Sequence, residues 1–139
     1  MATPYEKIYG RFLNRITDFN LADLDDYTLN EMLKNWLYSA VVKVRTSSDL
    51  SKRDDENGAF ANDLTDMDVE LLAMGMTLAW LDQTLNSTEL TLQFIGGKEE
   101  KYYSQANHIA ELRALRADTL REMQQLYTYG TYTNNDYFD

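Results

Sequence analysis

The chain contains no cysteine, one proline, one histidine and six glycines among its 139 residues. The absence of cysteine excludes a disulfide framework and any metal site built on thiolates. The single proline, Pro4, leaves the rest of the chain free to be helical, because proline breaks helices more strongly than any other residue. A nucleophile activated by histidine would have to use His108, so the chain has little material for that chemistry.

Basic residues are outnumbered by acidic ones. The chain carries 13 lysines and arginines against 23 aspartates and glutamates, which gives a net charge of -10 at pH 7. This balance disfavours nucleic acid as a tightly held ligand, because phosphate binding requires clustered basic side chains. The first residues contain no apolar run typical of a signal peptide, so the expected compartment is the cytoplasm. The length and a hydrophobic fraction of 44% predict one globular domain with a substantial core.

Motifs for catalysis and metal binding are missing from the sequence. His108 lies one helical turn after Ser104, but a helix cap is the simpler role for Ser104, and a partly buried polar residue is the simpler role for His108. No HExxH or ExxH pattern is present. The acids near Gly58 do not follow the spacing of a calcium-binding EF-hand loop. We therefore predict no enzyme activity, no cofactor and no metal site.

The strongest predicted element is a helix over residues 65–85. Thr65 is placed to cap it, and Asp66 and Asp68 add negative charge at the positive end of its dipole. Apolar residues surround most of the helix, which predicts a buried central element about 30 Å long. Its internal acids argue against a membrane span. Gly75 in the middle indicates either a close helix crossing or a tolerated defect.

Two helices are predicted before the central one. The first has Thr3 as its cap and Pro4 in its first turn, and it ends near residues 18–20. The second begins at a capping box formed by Thr28 and Glu31 and continues to residue 45 with apolar residues at helical spacing. Trp36 lies on the apolar face of this helix and is predicted to anchor the core.

Two further helices are predicted after the central one. Asn86 and Ser87 are expected to open a short element over residues 88–95, which fits a strand or a two-turn helix. We favour the helix, because no second strand is evident to pair with it. Gly96 and Gly97 should end this element. The last predicted helix covers residues 104–127 and carries an apolar face from Ile109 to Leu126.

Residues 46–63 have few apolar residues and no periodicity, so they are predicted to form a long exposed loop. We call this segment the acidic loop. Leu50 and Phe60 are expected to pin it to the body at two points. Its candidate functional residues are its carboxylates, Asp49, Asp54, Asp55 and Glu56.

Residues 128–139 are rich in tyrosine, threonine and asparagine, and we call them the aromatic arm. With the last residue of the preceding helix included, the candidate docking residues are Tyr127, Tyr129, Tyr132, Tyr137 and Phe138. Exposed aromatic side chains are unfavourable in water, so the arm should either lie in a partner's groove or fold back on its own domain. The predicted fold is thus all-α, with a body of four to five helices over residues 1–127, a long acidic loop and an extended aromatic arm over residues 128–139.

Four stretches, covering nearly the whole chain, together resemble one family. They are YEKIYGRFLNRITDFNLADL, NEMLKNWLYSAVVKVR, DLSKRDDENGAFANDLTDMDVELLAMGMTLAWL and GGKEEKYYSQANHIAELRALRADTLRE. The most telling segments are YSQANH at residues 103–108, followed by Leu112 and Arg113, and DLTD at residues 63–66. The chain resembles the head–tail connector (adaptor or neck) proteins of tailed bacteriophages that infect low-GC Gram-positive hosts.

The resemblance implies a ring of about twelve copies beneath the portal protein, in contact with a further neck or tail-completion protein. It places the protein in the neck of the virion, and in the host cytoplasm during assembly. It implies that the aromatic arm inserts into the portal and that the acidic loop faces the lumen or the next neck ring. A negative lumen would repel passing DNA, so contact with the genome would be transient and non-specific. Three arginines are candidates to bridge neighbouring copies, with pairing inside their own helix as the alternative: Arg113, Arg116 and Arg121.

Three alternatives remain at this stage. A tail-completion (terminator) protein from the same neck region would form a hexameric ring. An acidic binding protein that mimics DNA would use the net charge of -10 to block a host enzyme. An enzyme would depend on His108.

Overall fold

The computed structural model describes residues 2–16, 24–46, 49–95 and 99–133, with the backbone alone for 89–95, 99–105 and 129–133. Within these residues it contains four helices and one small sheet. The helices are α1 (Tyr5–Arg15), α2 (Asp26–Lys43), α3 (Asp66–Ile95) and α4 (Glu99–Thr133). The strands are β1 (Thr3–Pro4), β2 (Arg53–Asp54) and β3 (Ala59–Phe60), in the antiparallel order β1-β3-β2. The fold is mostly helical, as predicted, but the sheet was not expected.

The central element is α3, which packs against each of the other three helices. It begins as predicted, because the backbone amide of Asp68 donates to Thr65 Oγ1 at 3.1 Å. The prediction that Asn86 and Ser87 open a separate element is wrong. Residues 88–95 are helical, but they continue α3 without a break. One polar side chain in this stretch is satisfied inside the helix, since Thr88 Oγ1 donates to the carbonyl oxygen of Thr84 at 2.7 Å.

Gly75 marks the point where α2 crosses α3 most closely. A Cβ atom added there would lie 2.6 Å from Val44 Cγ2 and 2.7 Å from Ala40 Cβ. Both distances are too short for non-bonded carbon atoms, so only glycine lets the two backbones approach this closely. Of the two explanations offered for Gly75, the close crossing is the correct one.

The start of α1 differs from the prediction. Thr3 does not cap the helix, because it lies in β1 opposite Phe60. Its hydroxyl donates to the carbonyl oxygen of Asn62 and accepts from the amide of Leu64, both at 2.9 Å. Thr3 therefore joins the N-terminal strand to the end of the acidic loop. The predicted helix end at residues 18–20 lies outside the described residues.

The acidic loop is not the irregular exposed segment that we predicted. Strands β2 and β3 form a hairpin within it, and Gly58 adopts the positive φ of 66° that this turn requires. The amide of Asn57 donates to Asp54 Oδ1 at 3.0 Å and stabilises the turn. Leu50 and Phe60 are both buried, which confirms the two predicted anchor points.

The N-cap of helix α2 lies three residues before the predicted cap. Asp25 is the N-cap, and its Oδ1 accepts from the amide of Thr28 at 3.1 Å. The predicted capping box of Thr28 and Glu31 is therefore wrong in position, since both lie inside the helix. The prediction for Trp36 is confirmed, because its ring is buried and its Nε1 donates to Gln83 Oε1 at 2.9 Å.

Helix α4 is longer at both ends than the predicted span of 104–127. Ser104 lies inside it and does not cap it, and Gly130 does not end it. His108 is exposed and not partly buried. The predicted boundary between body and arm at residues 127 and 128 falls within this helix. Residues 128–133 of the arm are thus helical and not extended, and residues 134–139 lie outside the described residues.

Candidate functional site

A cleft of about 270 Å³ opens between α3, α4 and the end of α2. Its floor is apolar and is formed by Leu78 and Ala79 of α3 together with Leu120 and Met123 of α4. Leu120 is 37% exposed, so an apolar side chain remains uncovered there. The close crossing at Gly75 forms the inner wall. Since small-molecule sites usually enclose about 300–1,000 Å³, this space suits one or two side chains better than a large cofactor.

The rim of the cleft is more positive than the chain as a whole. Lys43 lies at the end of α2, and Arg116 lies on α4. Arg116 Nε donates to Asp82 Oδ1 of α3 at 2.8 Å, and both side chains remain partly exposed. Asp82 is the one acid among the described residues that line the cleft. Two basic residues and one acid thus line the cleft, in a chain whose net charge is -10.

Tyr127 also lines this cleft. The guanidinium of Arg45 lies over its ring at 4.6 Å from the ring centroid, and the amide of Arg45 donates to its hydroxyl at 3.2 Å. A cation over an aromatic face adds both attraction and packing. The structure therefore places Tyr127 against its own body, whereas the prediction assigned it to the docking arm.

The remaining arm residues give less structural information. Tyr129 and Tyr132 lie on the last turns of α4, where the backbone alone is described. Tyr137 and Phe138 lie outside the described residues. Their docking role stays a prediction.

The carboxylates of the acidic loop organise the hairpin. Asp49 Oδ1 accepts from the amide of Ser51 at 2.9 Å, and Asp54 accepts from Asn57. These hydrogen bonds hold the pKa of Asp49 and of Asp54 below the ordinary value. Glu56 is exposed. The loop therefore keeps its negative charge, but part of that charge also stabilises its own turns.

Asp55 fastens the hairpin to the helices. Its Oδ1 accepts from the hydroxyl of Tyr5 at 2.7 Å, and hydrogen bonds from Tyr5 and Tyr38 hold the pKa of this carboxyl below its usual range. Burial, assisted by the bond to Asp55, raises the pKa of Tyr5 well above its ordinary value. Burial also raises the pKa of Tyr9 to about 12. The network is therefore built around an ionised carboxylate and neutral phenols.

Asp55→Asn should change how the free energy of unfolding depends on pH. A carboxyl whose pKa is lowered in the folded state contributes stability above its ordinary value near pH 4, and loses it as the pH falls through the lower folded value. We expect the wild type to be more stable than Asp55→Asn at pH 7 and the difference to shrink below about pH 4. Urea unfolding followed by circular dichroism from pH 7 to pH 2 measures this. The control is Asp55→Asn in a Tyr5→Phe background, where the hydrogen bond from Tyr5 is already absent. If Asp55→Asn changes the pH dependence of stability equally in both backgrounds, the role of the Tyr5 bond is refuted.

The three candidate bridging arginines occupy different environments. Arg116 pairs with Asp82 across two helices of the same chain, and Arg121 Nη1 lies 3.2 Å from Asp118 Oδ1 within α4. Arg113 is exposed on α4. Bridging between copies stays a prediction for all three.

Sequence reasoning missed an ion-pair cluster that joins three helices. Arg15 of α1 contacts Glu70 of α3 at 2.6 Å and Glu122 of α4 at 2.8 Å, and Arg11 contacts Glu70 at 3.1 Å. Residues this far apart in sequence give no local signal of pairing.

Comparison with protein-family models, curated proteins and solved structures finds no match for this chain. Across the part of the chain that the structure describes, no helix is long and apolar enough to cross a membrane. The same residues contain no group of three or more histidines and acids placed to hold a metal ion.

Sequence reasoning also missed the cleft. Its one local signal was the pair of small residues Gly75 and Ala79, one turn apart on α3. That pair indicates a close approach of helices, but it does not show where the approach ends and open space begins.

Proposed function

We propose that this protein is a structural component of the neck of a tailed-bacteriophage virion. It would act as a head–tail connector whose copies form a ring between the portal protein and the rest of the neck. The observation that carries the proposal is the resemblance of four stretches of sequence, which together span nearly the whole chain. The virion neck would be its final location, after assembly in the host cytoplasm.

The helical body is consistent with a load-bearing ring subunit. Helix α3 is surrounded by three other helices, and the cluster around Arg15 and Glu70 ties α1, α3 and α4 together. In this cluster Arg15 bridges two carboxylates and Glu70 accepts from two arginines, and such a network fixes the relative positions of helices more firmly than isolated surface pairs do. A ring that transmits force between head and tail needs subunits that do not deform.

The end of α4 supplies a surface for the portal. The helix continues six residues past Tyr127, a distance of about 9 Å, and carries Tyr129 and Tyr132. Tyrosine is enriched among the residues that dominate binding at protein interfaces. We assign portal docking to this end of the helix.

The hairpin of the acidic loop suits either the lumen or the next neck ring. Asp49, Asp54 and Asp55 have lowered pKa values and stay ionised below the ordinary range of carboxylates. Fixed negative charge along a conduit keeps DNA from adhering to the wall, because it repels the phosphate backbone. Contact with the genome would then be transient and independent of sequence.

Negative-stain microscopy of the purified protein with its portal protein tests this assignment. We expect portals capped at one end by an additional ring. Portals that remain bare at high concentrations of the wild-type protein would contradict the proposal.

A further inference from the structure

We propose that the cleft between α3 and α4 receives Tyr137 and Phe138 from a second copy of this chain. This inference rests on the proposed function, because it specifies how neighbouring copies of the ring hold one another. A contact between one surface on a subunit and a different surface on the next is heterologous, and such contacts form a ring when the rotation between successive copies closes.

The floor of the cleft is suited to aromatic side chains. Leu78, Ala79, Leu120 and Met123 present apolar atoms, and the space of about 270 Å³ lies below the usual range for small-molecule sites. Methionine adapts to irregular partners and makes favourable contacts with aromatic rings. Burying the exposed part of Leu120 beneath an aromatic side chain would remove apolar surface from water.

The basic residues at the rim of the cleft favour acidic residues on either side of the docked aromatic pair. Lys43 and Arg116 line the cleft, and Arg45 lies over the ring of Tyr127, which also lines it. Asp82 is the one acid among the described lining residues. In the sequence, Tyr137 and Phe138 are directly flanked by Asp136 and Asp139. Complementary charge of this kind favours the correct partner and orients its approach. In a chain with a net charge of -10, the cleft is a place where an acidic segment of another copy is attracted and not repelled.

The length of the chain favours a neighbour's arm over the copy's own arm at the Leu120 end of the cleft. Thr133, at the end of α4, lies 10 residues beyond Met123 and 13 beyond Leu120, or about 15 and 20 Å along the helix axis. Phe138 follows Thr133 by five residues, which span at most about 18 Å when fully extended. Part of that length is lost in reversing direction, so a copy's own Phe138 falls short of the level of Leu120, although the extended length exceeds the distance to Met123. A neighbouring copy has no such restriction.

This assignment divides the aromatic arm between two partners. Tyr137 and Phe138 hold the next copy, and Tyr129 and Tyr132 remain for the portal. Each copy uses its cleft once and its arm once, which gives a chain of identical contacts around the ring.

Two complementary variants of the full-length chain test the proposal. Leu120→Glu places a charge in the cleft and leaves the arm intact, while Tyr137→Ser with Phe138→Ser disables the arm and leaves the cleft intact. We expect each variant alone to sediment as a monomer of about 16.2 kDa. An equimolar mixture should form a 1:1 dimer of twice that mass and no larger species, because only one functional contact can form in it. A mixture that stays monomeric would refute docking between copies.

Leu115→Glu is the matched control for the cleft. Leu115 is 37% exposed on the same helix, as is Leu120, but it does not line the cleft. We expect Leu115→Glu to self-associate as the wild type does, and Leu120→Glu to bind a labelled peptide of residues 133–139 at least tenfold more weakly than the arm-disabled variant does. Equal losses in the two leucine variants would show that the cleft is not the site.

The outcome with the portal separates this inference from the proposed function. If rings cap the portal but the complementary variants do not pair, the contact between copies is wrong and the connector role stands. If the variants pair but the portal is never bound, the contact is correct and the connector role is wrong. A labelled peptide that binds the portal and not the cleft would overturn the inference in favour of portal docking.

Discussion

Phe60→Ala is expected to lower the free energy of unfolding by about 3–5 kcal/mol, the usual cost of removing a buried aromatic side chain. Phe60 has no exposed surface, and its ring packs edge-on against Tyr5 with centroids 5.0 Å apart. The backbone of Phe60 also pairs with Thr3 in the sheet, so this one residue connects the hairpin, the N-terminal strand and α1. Urea unfolding followed by circular dichroism measures the loss.

Tyr27→Ala is the matched control for Phe60→Ala. Tyr27 is an aromatic residue that is 75% exposed on α2, so its removal should change stability by less than about 0.5 kcal/mol. If Phe60→Ala is as mild as this control, the acidic loop is not part of the folded core.

Gly75→Leu is expected to be destabilising by more than about 3 kcal/mol, above the range typical of overpacked cores. Even a Cβ atom at this position meets Ala40 Cβ at 2.7 Å and the Cα atom of Ala40 at 3.2 Å. The methyl group of Ala40 cannot rotate away from the added Cβ atom, so Gly75→Leu must push α2 away from α3. The cleft beside this crossing should open as α2 moves. Thermal and urea unfolding measure the stability. Binding of the labelled peptide of residues 133–139 at low temperature measures whether the shape of the cleft has changed.

Gly10→Leu places the same side chain in an uncrowded helical position. An added Cβ at Gly10 meets no atom within 4 Å, so this variant should be stabilised by up to about 1 kcal/mol, because leucine favours helix more than glycine does. Similar effects of the two substitutions would contradict the close crossing at Gly75.

The helices and their buried faces were predictable because their signal is local. Apolar spacing correctly placed Leu33, Trp36, Leu37 and Ala40 of α2 in the core. The same reasoning identified the start of α3 at Thr65, since a cap and its partner amide lie three residues apart.

The sheet was not predictable from local pattern. Its strands are two residues long, which is too short for alternation to be visible, and β3 pairs with Thr3 and Pro4 from the far end of the chain. Only Leu50 and Phe60, isolated in a polar segment, indicated that the acidic loop is attached to the body.

Helix ends were predicted less well, because end signals are weak compared with packing. Gly130 costs about 1 kcal/mol relative to alanine in a helix, an amount too small to end one by itself. Asn86 and Ser87 likewise lie within α3. At the N-terminus of α2, Asp25 and Thr28 both suit a cap, and the chain uses the earlier one.

The cleft could not be derived from periodicity. Leu115 and Leu120 were both assigned to the buried face of the last helix, yet each lies at an edge of that face and is 37% exposed. Which edge borders a cleft depends on how α2 ends and how α3 and α4 diverge. That arrangement is a property of the assembled body.

The mass of the particle, measured by light scattering for the protein alone and with its portal, tests the connector role most directly. The proposal predicts that the complex is heavier than the portal alone by the mass of about twelve copies, or about 194 kDa. A particle of six copies, about 97 kDa, that does not bind the portal would favour a tail-completion protein. A monomer that stays at 16.2 kDa with and without the portal would contradict the account.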